Sequence, residues 1–412
     1  MKILFLAHRI PYPPNKGEKT RCFNQLQFLS TRHSIDLFCF ATSEKEAEGR
    51  EALQAFCRCV HVEILRPKTG YLRSALRLFG SLPASVVYYD SRSMHEAVRG
   101  ALRASKYDLV FVYCSSMAQF VPPSTNVPAV IDFVDADSAK WTQYSRRSAF
   151  PLSWLYAREG ASLARYERLT AENFDASLVT THQEALDLGG GGCRSVEVIA
   201  NGVAAAPAFD LQNLLADILQ LQPYVLFVGT MSYRPNADAV TYFAREIFPL
   251  LRQSNPDLRF LIVGRDPTPT VRKLGRLPGV VVTGSVSDVH GYLAGAAVAV
   301  APFRIAQGVQ NKVLEALVAG VPVVLTSKPA RAFSGLAADL LLVADTPKAF
   351  ADAVRAALGN LEFRRRCLEA VPDLQQLLSW QASLSRMEEL IGNLAVIPRE
   401  AGSGVPSHAQ TC

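Results

Sequence analysis

The chain has 412 residues, 49% hydrophobic and 19% charged, with a formal net charge of +6. That is apolar material for two domains with full cores, and the mild positive charge suits anionic ligands or an anionic membrane surface while no basic block is dense enough for nucleic acid. The eight cysteines are scattered, with only Cys57 and Cys59 close together, so neither a metal site nor a disulfide framework is expected.

The opening Met1-Lys2-Ile3-Leu4-Phe5-Leu6-Ala7-His8-Arg9 meets charge too soon for a secretory signal. No apolar run approaches the ~18 residues of a spanning helix. Reduced thiols and a cytoplasmic location are expected, with any membrane contact peripheral, at the inner face of the plasma membrane.

Residues 3–7 read as a first central strand, followed by a loop with Pro11, Pro13, Pro14 and Gly17 and a helix over 18–30. Strands are expected at 35–41 and 60–65, with a helix over 44–56 between them. This alternation specifies a doubly wound parallel sheet. The loop 8–21 lies at the carboxyl edge of the first strand, where ligands of such sheets bind. Gly17 can admit a phosphate to the backbone and Glu18, Lys19 or Arg21 can bind substrate. The alternative is a turn glycine and a solvated helix residue.

Residues 66–81 are basic and amphipathic: Arg66, Lys68, Arg73 and Arg77 interleave with Tyr71, Leu72, Leu76, Leu78 and Phe79. Such a helix can lie on an anionic bilayer or bind a lipid-linked acceptor, or it can be a crossover helix with a basic solvated side. Strands follow at 109–114 and 129–134. Asp135-Ala136-Asp137 is nominally a metal-binding Asp-x-Asp pair, but no second ligand cluster accompanies it. A strand-end loop is expected there, with Asp135 or Asp137 touching sugar or acceptor hydroxyls.

A long helix over 154–174 and strands at 177–181 and 196–200 close the first half. Asn201-Gly202 is a turn signal, and 204–222 reads as an interdomain linker. The second half repeats the alternation, with strands at 224–228, 258–263, 280–283, 298–301, 321–325 and 340–343. Helices are expected over 237–251, 288–296 and 347–358, and one more after Arg364, around 379–394. Neither half carries Gly-x-Gly-x-x-Gly after its first strand, and no Walker A motif is present, which argues against NAD and P-loop chemistry. The tail from Pro398 is Gly, Ser and Pro rich and is expected to be disordered.

The most informative stretch is 301–324, a strand, a loop with Gly308, a helix starting near Asn311, a good N-cap type, then Gly320 and Pro322 before the next strand. Val313, Leu314, Leu317 and Val318 share the face that packs on the sheet. Lys312 and Glu315 are three apart and fall together on the other side. A helix start that attracts anions, a lysine beside it and a carboxylate one turn on suit a sugar nucleotide. The plain alternative is a surface ion pair on a crossover helix.

Three segments carry a resemblance: His8-Arg9-Ile10-Pro11-Tyr12-Pro13-Pro14, Phe133-Val134-Asp135-Ala136-Asp137-Ser138 and Gln310-Asn311-Lys312-Val313-Leu314-Glu315-Ala316. With the two Rossmann-like halves and the late Lys–Glu–Ala–Gly-x-Pro-Val-Val segment, the chain resembles GT-B glycosyltransferases of family 4. The subgroup it is most similar to is the sugar transferase associated with exosortase/PEP-CTERM exopolysaccharide clusters. The resemblance implies an α/β GT-B fold, two Rossmann-like domains facing a central cleft. It implies an acceptor domain over 1–205, a linker over 206–222 and a donor domain over 223–378. A C-terminal helix over 379–396 would pack back on the acceptor domain, ahead of a tail over 397–412.

The activity implied is a retaining transfer, with no metal required, from a nucleotide sugar to a polysaccharide or lipid-linked acceptor. Glu315 would bind the ribose, while Arg234 and Lys312 would clamp the diphosphate. The donor side would add Gly229, Asn236, Gly308, Val309 and Asn311, with Gly264, Arg265, Gly284, Ser285 and Val286 at the base and Gly17 meeting the phosphate. His8, Glu18, Arg21, Asp135 and Asp137 would serve the acceptor. Where the family's paired-glutamate motif has its first glutamate, this chain has Gln307. That departure leaves open a non-catalytic sugar-nucleotide binder, and a GT-B-like epimerase is a further alternative.

Overall fold

The computed structural model describes residues 1–15, 17–77, 80–189, 195–204 and 216–396. The expected tail over 397–412 and most of the expected linker therefore lie outside the described residues, as do Leu78 and Phe79. The chain divides into two compact units, Met1–Ala200 with the stretch from Ser383, and Asn201–Ala382.

The first unit holds β1 (Lys2–Ala7), β2 (Ser34–Ala41), β3 (Cys59–Ile64), β4 (Leu109–Tyr113), β5 (Ala129–Asp132), β6 (Ala176–Val179) and β7 (Val196–Val198). They form one parallel seven-stranded sheet in the order β3-β2-β1-β4-β5-β6-β7. Residues Ile3, Leu4, Phe5, Leu6 and Ala7 of β1 have no exposed surface. Helices cover both faces of such a sheet, which is why its central strands read as unbroken apolar runs.

The second unit holds β8 (Tyr224–Val228), β9 (Arg259–Val263), β10 (Val280–Gly284), β11 (Val298–Ala301), β12 (Val323–Leu325) and β13 (Leu341–Val343). Their order is β10-β9-β8-β11-β12-β13, again parallel. The strand order reverses between β1 and β4 in one unit and between β8 and β11 in the other. Beyond the carboxyl ends of such pairs open α/β sheets hold their ligands.

Helices depart from expectation where a local constraint intervenes. The helix expected over 44–56 is two short pieces, Glu44–Ala47 and Arg50–Leu53. At Gly49 between them a Cβ would lie 2.8 Å from the Tyr12 carbonyl oxygen, so backbone packs on backbone. The helix expected over 237–251 begins at Arg234 and passes through a π-turn, Phe243–Ile247, before Phe248–Ser254. Pro249 lacks an N–H and cannot continue the ladder, and the wider turn accommodates it. After Arg364 there are two helices, Val371–Leu377 and Trp380–Val396, where one was expected. Helices Ala84–Tyr89, Arg92–Ala104, Asp137–Ser145 and His182–Gly189 were not foreseen.

Two anchors tie down the C-terminal stretch. At Gly202 a Cβ would lie 2.5 Å from the Trp380 Cα, so only glycine fits there. In the first unit, His33 Nε2 lies 3.0 Å from Glu388 Oε1 and Arg386 pairs with Glu197 at 3.2 Å. No helix among the described residues is long and apolar enough to cross a membrane.

Arg21 overturns an expectation. It is neither solvated nor placed to meet an acceptor: it has no exposed surface and is among the largest fully buried side chains. Its Nε donates to Asp132 Oδ2 at 2.8 Å, and Gln25 donates to the same oxygen. Asp132 closes β5, and its other oxygen accepts the Val134 N–H at 2.9 Å. Arg21 is thus the counter-charge that lets a carboxylate stand inside the core at a strand end. Replacing Arg21 by Ala should cost the first unit about 3–5 kcal/mol in chemical denaturation, because Asp132 is left buried and uncompensated. Arg92→Ala, on an exposed helix face, should change stability by less than about 0.5 kcal/mol.

Candidate active site

In the second unit, the loops after β8 and β9 are joined backbone to backbone. Gly229 N–H donates to the Val263 carbonyl at 3.0 Å and Met231 N–H to the Arg265 carbonyl at 2.9 Å. Gly264 has φ +146°, and a Cβ there would fall 1.8 Å from the Gly229 carbonyl oxygen. No other residue passes at that point. Asn236, buried on the first turn of helix Arg234–Tyr242, donates from Nδ2 to the Thr230 carbonyl at 2.9 Å. Its Oδ1 accepts a bond of 2.7 Å from Lys312 Nζ.

Lys312 comes from the other side of the switch point. After β11 the loop turns at Gly308, with φ +64°, and Gln310 Nε2 closes it by donating to the Gln307 carbonyl at 3.1 Å. The helix is Asn311–Val318, with Gln310 in the capping position. Asn311 is therefore the first helical residue and not the cap. Its Oδ1 instead accepts from Asn201 Nδ2 at 2.9 Å. At the far end, Gly320 at φ +68° donates to the Leu317 carbonyl, and Val321 donates to the Ala316 carbonyl, each at 3.0 Å. That pair of bonds is a Schellman stop, satisfying carbonyls the helix leaves open.

Val313, Leu314, Ala316, Leu317 and Val318 are buried, as the apolar spacing requires. Lys312 and Glu315 are half-buried, and they do not form the surface ion pair of the plain reading. The Lys312 ammonium lies 4.7 Å from the centre of the Phe227 ring and 4.6 Å from that of Phe303. Gly229 is the other wall, since a Cβ there would meet Asn236 Nδ2 at 2.7 Å and Lys312 Nζ at 3.3 Å. Burial pushes the Lys312 ammonium down to about 7, against the opposing pull of Glu315. Burial likewise raises the Glu315 carboxyl, against Lys312 and His290. Among the described residues, nothing hydrogen-bonds the Glu315 carboxylate. The arrangement is a cation restrained beside a glycine backbone, with a carboxylate one turn on that no described residue hydrogen-bonds.

Around this centre, Arg234 is exposed on the first turn of its helix, and Arg265 Nε reaches Thr230 Oγ1 at 3.4 Å. Gly284 ends β10 at φ +72°, Ser285 is exposed and Val286 packs on the core. Arg304, which the sequence reading passed over, grips Asp238 through two nitrogens, with Nε to Oδ2 at 3.0 Å. It also stacks on Tyr242 at 4.6 Å. This latch holds the loop after β11 to helix Arg234–Tyr242. No sequence pattern links residues 66 apart, so only the fold could reveal it.

In the first unit, His8 follows β1 and stacks on Tyr113, ring centres 5.8 Å apart. Burial lowers its pKa, opposed mainly by the nearby Glu18 carboxylate. Its Nδ1 finds no partner among the described residues. Gly17 and Glu18 are exposed at the start of helix Gly17–Ser30, where Glu18 pairs with Arg9 at 3.5 Å and its carbonyl accepts the Tyr113 hydroxyl.

Val134 has φ +67°, and Asp135 N–H donates back to the Phe133 carbonyl at 2.8 Å, a strained three-residue turn. Buried carboxylates hold it. Glu184 accepts the Ala136 N–H at 3.1 Å and Glu167 accepts the Ser138 hydroxyl at 2.5 Å. Burial raises the Asp135 carboxyl, helped by Glu184, and lifts Glu167 to about 8. Asp137 pairs with Lys140. Glu184 had a legible signal that was missed: Thr181-His182-Gln183-Glu184 is a capping box, with reciprocal bonds of 3.1 and 3.3 Å.

Residues 222–360 match the family model described as Glycosyl transferases group 1. The chain is a glycosyltransferase, with the group 1 match carried by the second unit. A Klebsiella pneumoniae protein, described as an uncharacterized 44.6 kDa protein in cps region, is 22% identical over 339 residues, 79% of this chain and 83% of that protein. The structure of Anabaena HepE in complex with UDP aligns over 95% of this chain and 100% of its own, with a TM-score of 0.65 and 15% identity. WaaG, a glycosyltransferase involved in lipopolysaccharide biosynthesis, aligns over 95% of this chain and 99% of its own, with a TM-score of 0.62 and 16% identity. At such identities the likeness is one of fold, and that fold is GT-B.

The buried lysine of this glycosyltransferase makes a prediction about stability. Burial holds the Lys312 ammonium down at about 7, well below the usual lysine range, so between the two the unfolded chain binds more protons. Its burial cost is complete below pH 7 and is relieved as pH rises toward 10.5. Lys312→Met should stabilise the second unit at pH 7, and the gain should shrink steadily in denaturation midpoints taken up to pH 10.

Proposed function

We propose that this glycosyltransferase takes a nucleotide sugar at the carboxyl edge of the second sheet. It transfers the sugar, with retention, to a polysaccharide or lipid-linked acceptor in exopolysaccharide synthesis. The observation that carries the reading is the Lys312 ammonium tied to Asn236 beside Gly229, with the Glu315 carboxylate unengaged one turn along. A diphosphate there meets the N–H groups of the helix start at Asn311 and the Lys312 charge. Arg234 supplies a second cation, able to neutralise charge that grows on the departing phosphate.

Glu315 accepts hydrogen bonds from the two ribose hydroxyls, and the Gly264–Arg265 and Gly284–Val286 segments take the base. Gln307 meets the sugar as a neutral group. The bond from the anomeric carbon to the diphosphate oxygen breaks as the acceptor oxygen bonds that carbon, and the acceptor proton leaves with the departing phosphate. No protein nucleophile is required. On the acceptor side His8, Glu18, Asp135 and Asp137 remain candidates, and Arg21 does not.

Uridine is the favoured base, since HepE was solved with UDP and with UDP-glucose. The capsule-region relative supports a polysaccharide product. The three quoted segments support the exosortase-associated subgroup. A thermal-shift panel of UDP-, GDP- and ADP-sugars with EDTA present tests the reading. A UDP-sugar should raise the midpoint of the wild type, and clearly less that of Glu315→Ala, since a ligand of the native state stabilises it by mass action. Lys312→Met should lower kcat by about 100-fold. No shift from any donor, or a shift only with a divalent metal, would refute it.

A further inference from the structure

The helix Pro67–Leu76 in the first unit is packed the wrong way round for a crossover helix. Its inward side carries Gly70, where a Cβ would lie 2.7 Å from the Tyr88 ring, and Ser74, whose hydroxyl donates to the Ala84 carbonyl at 2.8 Å. Its large apolar residues Leu72 and Leu76, one turn apart, face out, and Leu76 is 77% exposed. Tyr71 is also exposed, its ring centre 5.2 Å from that of Tyr88. An amphipathic helix normally buries that stripe.

A second apolar segment is fixed to the first. Arg158 donates to the Gly80 carbonyl at 2.7 Å, and the buried Glu159 carboxylate accepts the Ala84 and Ser85 N–H groups at 2.8 and 2.9 Å. Helix Leu152–Asn173 therefore holds Gly80 and the start of helix Ala84–Tyr89 against its own first turns. Just ahead of those turns Phe150 is 82% exposed, and Leu152 and Trp154 are exposed too, as is Leu82 ahead of helix Ala84–Tyr89.

Charge says what covers this surface. Across residues 66–89 and 144–158 the chain has Arg66, Lys68, Arg73, Arg77, Arg146, Arg147 and Arg158, and no Asp or Glu. Arg77 reaches outside the segments to Asp90 at 3.3 Å. Among the described residues, Arg66, Lys68, Arg73, Arg146 and Arg147 have no carboxylate partner. A second copy of this chain seated here would set like charges against each other.

We infer that this face of the first unit docks on an anionic phospholipid bilayer. Leu72, Leu76, Phe150 and Leu152 enter the headgroup boundary, and the surrounding arginines meet lipid phosphates. The inference stands apart from the donor reading, because it concerns other residues and another ligand.

Flotation of the full chain with vesicles tests it. The chain should float with phosphatidylcholine–phosphatidylglycerol vesicles, not with phosphatidylcholine alone, and less as salt is raised. Leu72→Ser/Leu76→Ser, Phe150→Ser/Leu152→Ser and Arg146→Ser/Arg147→Ser should each weaken binding by about tenfold. Leu361→Ser, an exposed apolar residue of the second unit, should bind as the wild type does. Unchanged thermal midpoints establish that the variants are folded. No binding to anionic vesicles at low salt, an equal loss in Leu361→Ser, or an effect of the paired variants on self-association instead would overturn the inference.

Discussion

The bond from Lys312 Nζ to Asn236 Oδ1 is the contact on which the carboxyl edge of the second unit's sheet depends. It joins the helix after β11 to the helix after β8 across the switch point, 2.7 Å from donor to acceptor. The ammonium rests on two aromatic rings and beside a glycine, so its position is set by packing and only its charge is adjustable. Burial poises that charge close to neutrality, and a nearby anion would complete it. Gly264 and Gly229 are the backbone counterpart, since their close approach brings the two strand-end loops to the same place.

The first unit reaches a similar end by different means. Its strand-end loop after β5 is strained at Val134, and the strain persists because buried carboxylates at Asp132, Glu167 and Glu184 pin the residues on either side. Arg21 makes the first of these tolerable inside the core. What is left standing at the edge is Asp135, whose carboxyl takes no part in the anchoring, and His8, stacked on Tyr113.

The strands were legible because buried parallel strands are written as short apolar runs between turn residues, and β8 and β11 fall where the runs placed them. The helix of 311–318 was legible from its period and from Gly320, whose positive φ the stop requires. Long-range choices were not. Arg21 looks like any basic helix residue until β5 brings Asp132 to it, and Lys312 looks like a partner for Glu315 until β8 brings Asn236. Asn311 has the composition of a cap yet bonds Asn201. Short helices such as Ala84–Tyr89 and His182–Gly189 span too few turns to show a period, and Arg92–Ala104 buries only Met94 and Val98 along a largely polar run.

Proton counting by titration calorimetry tests the central claim most directly. UDP-sugar would be titrated into the protein near pH 8 in two buffers of different ionisation enthalpy. If the Lys312 site receives the diphosphate, binding must recharge an ammonium that burial holds near 7. The account predicts net uptake of roughly one proton per donor bound, abolished in Lys312→Met. Binding of equal strength with no proton uptake, or uptake that survives in Lys312→Met, would contradict it.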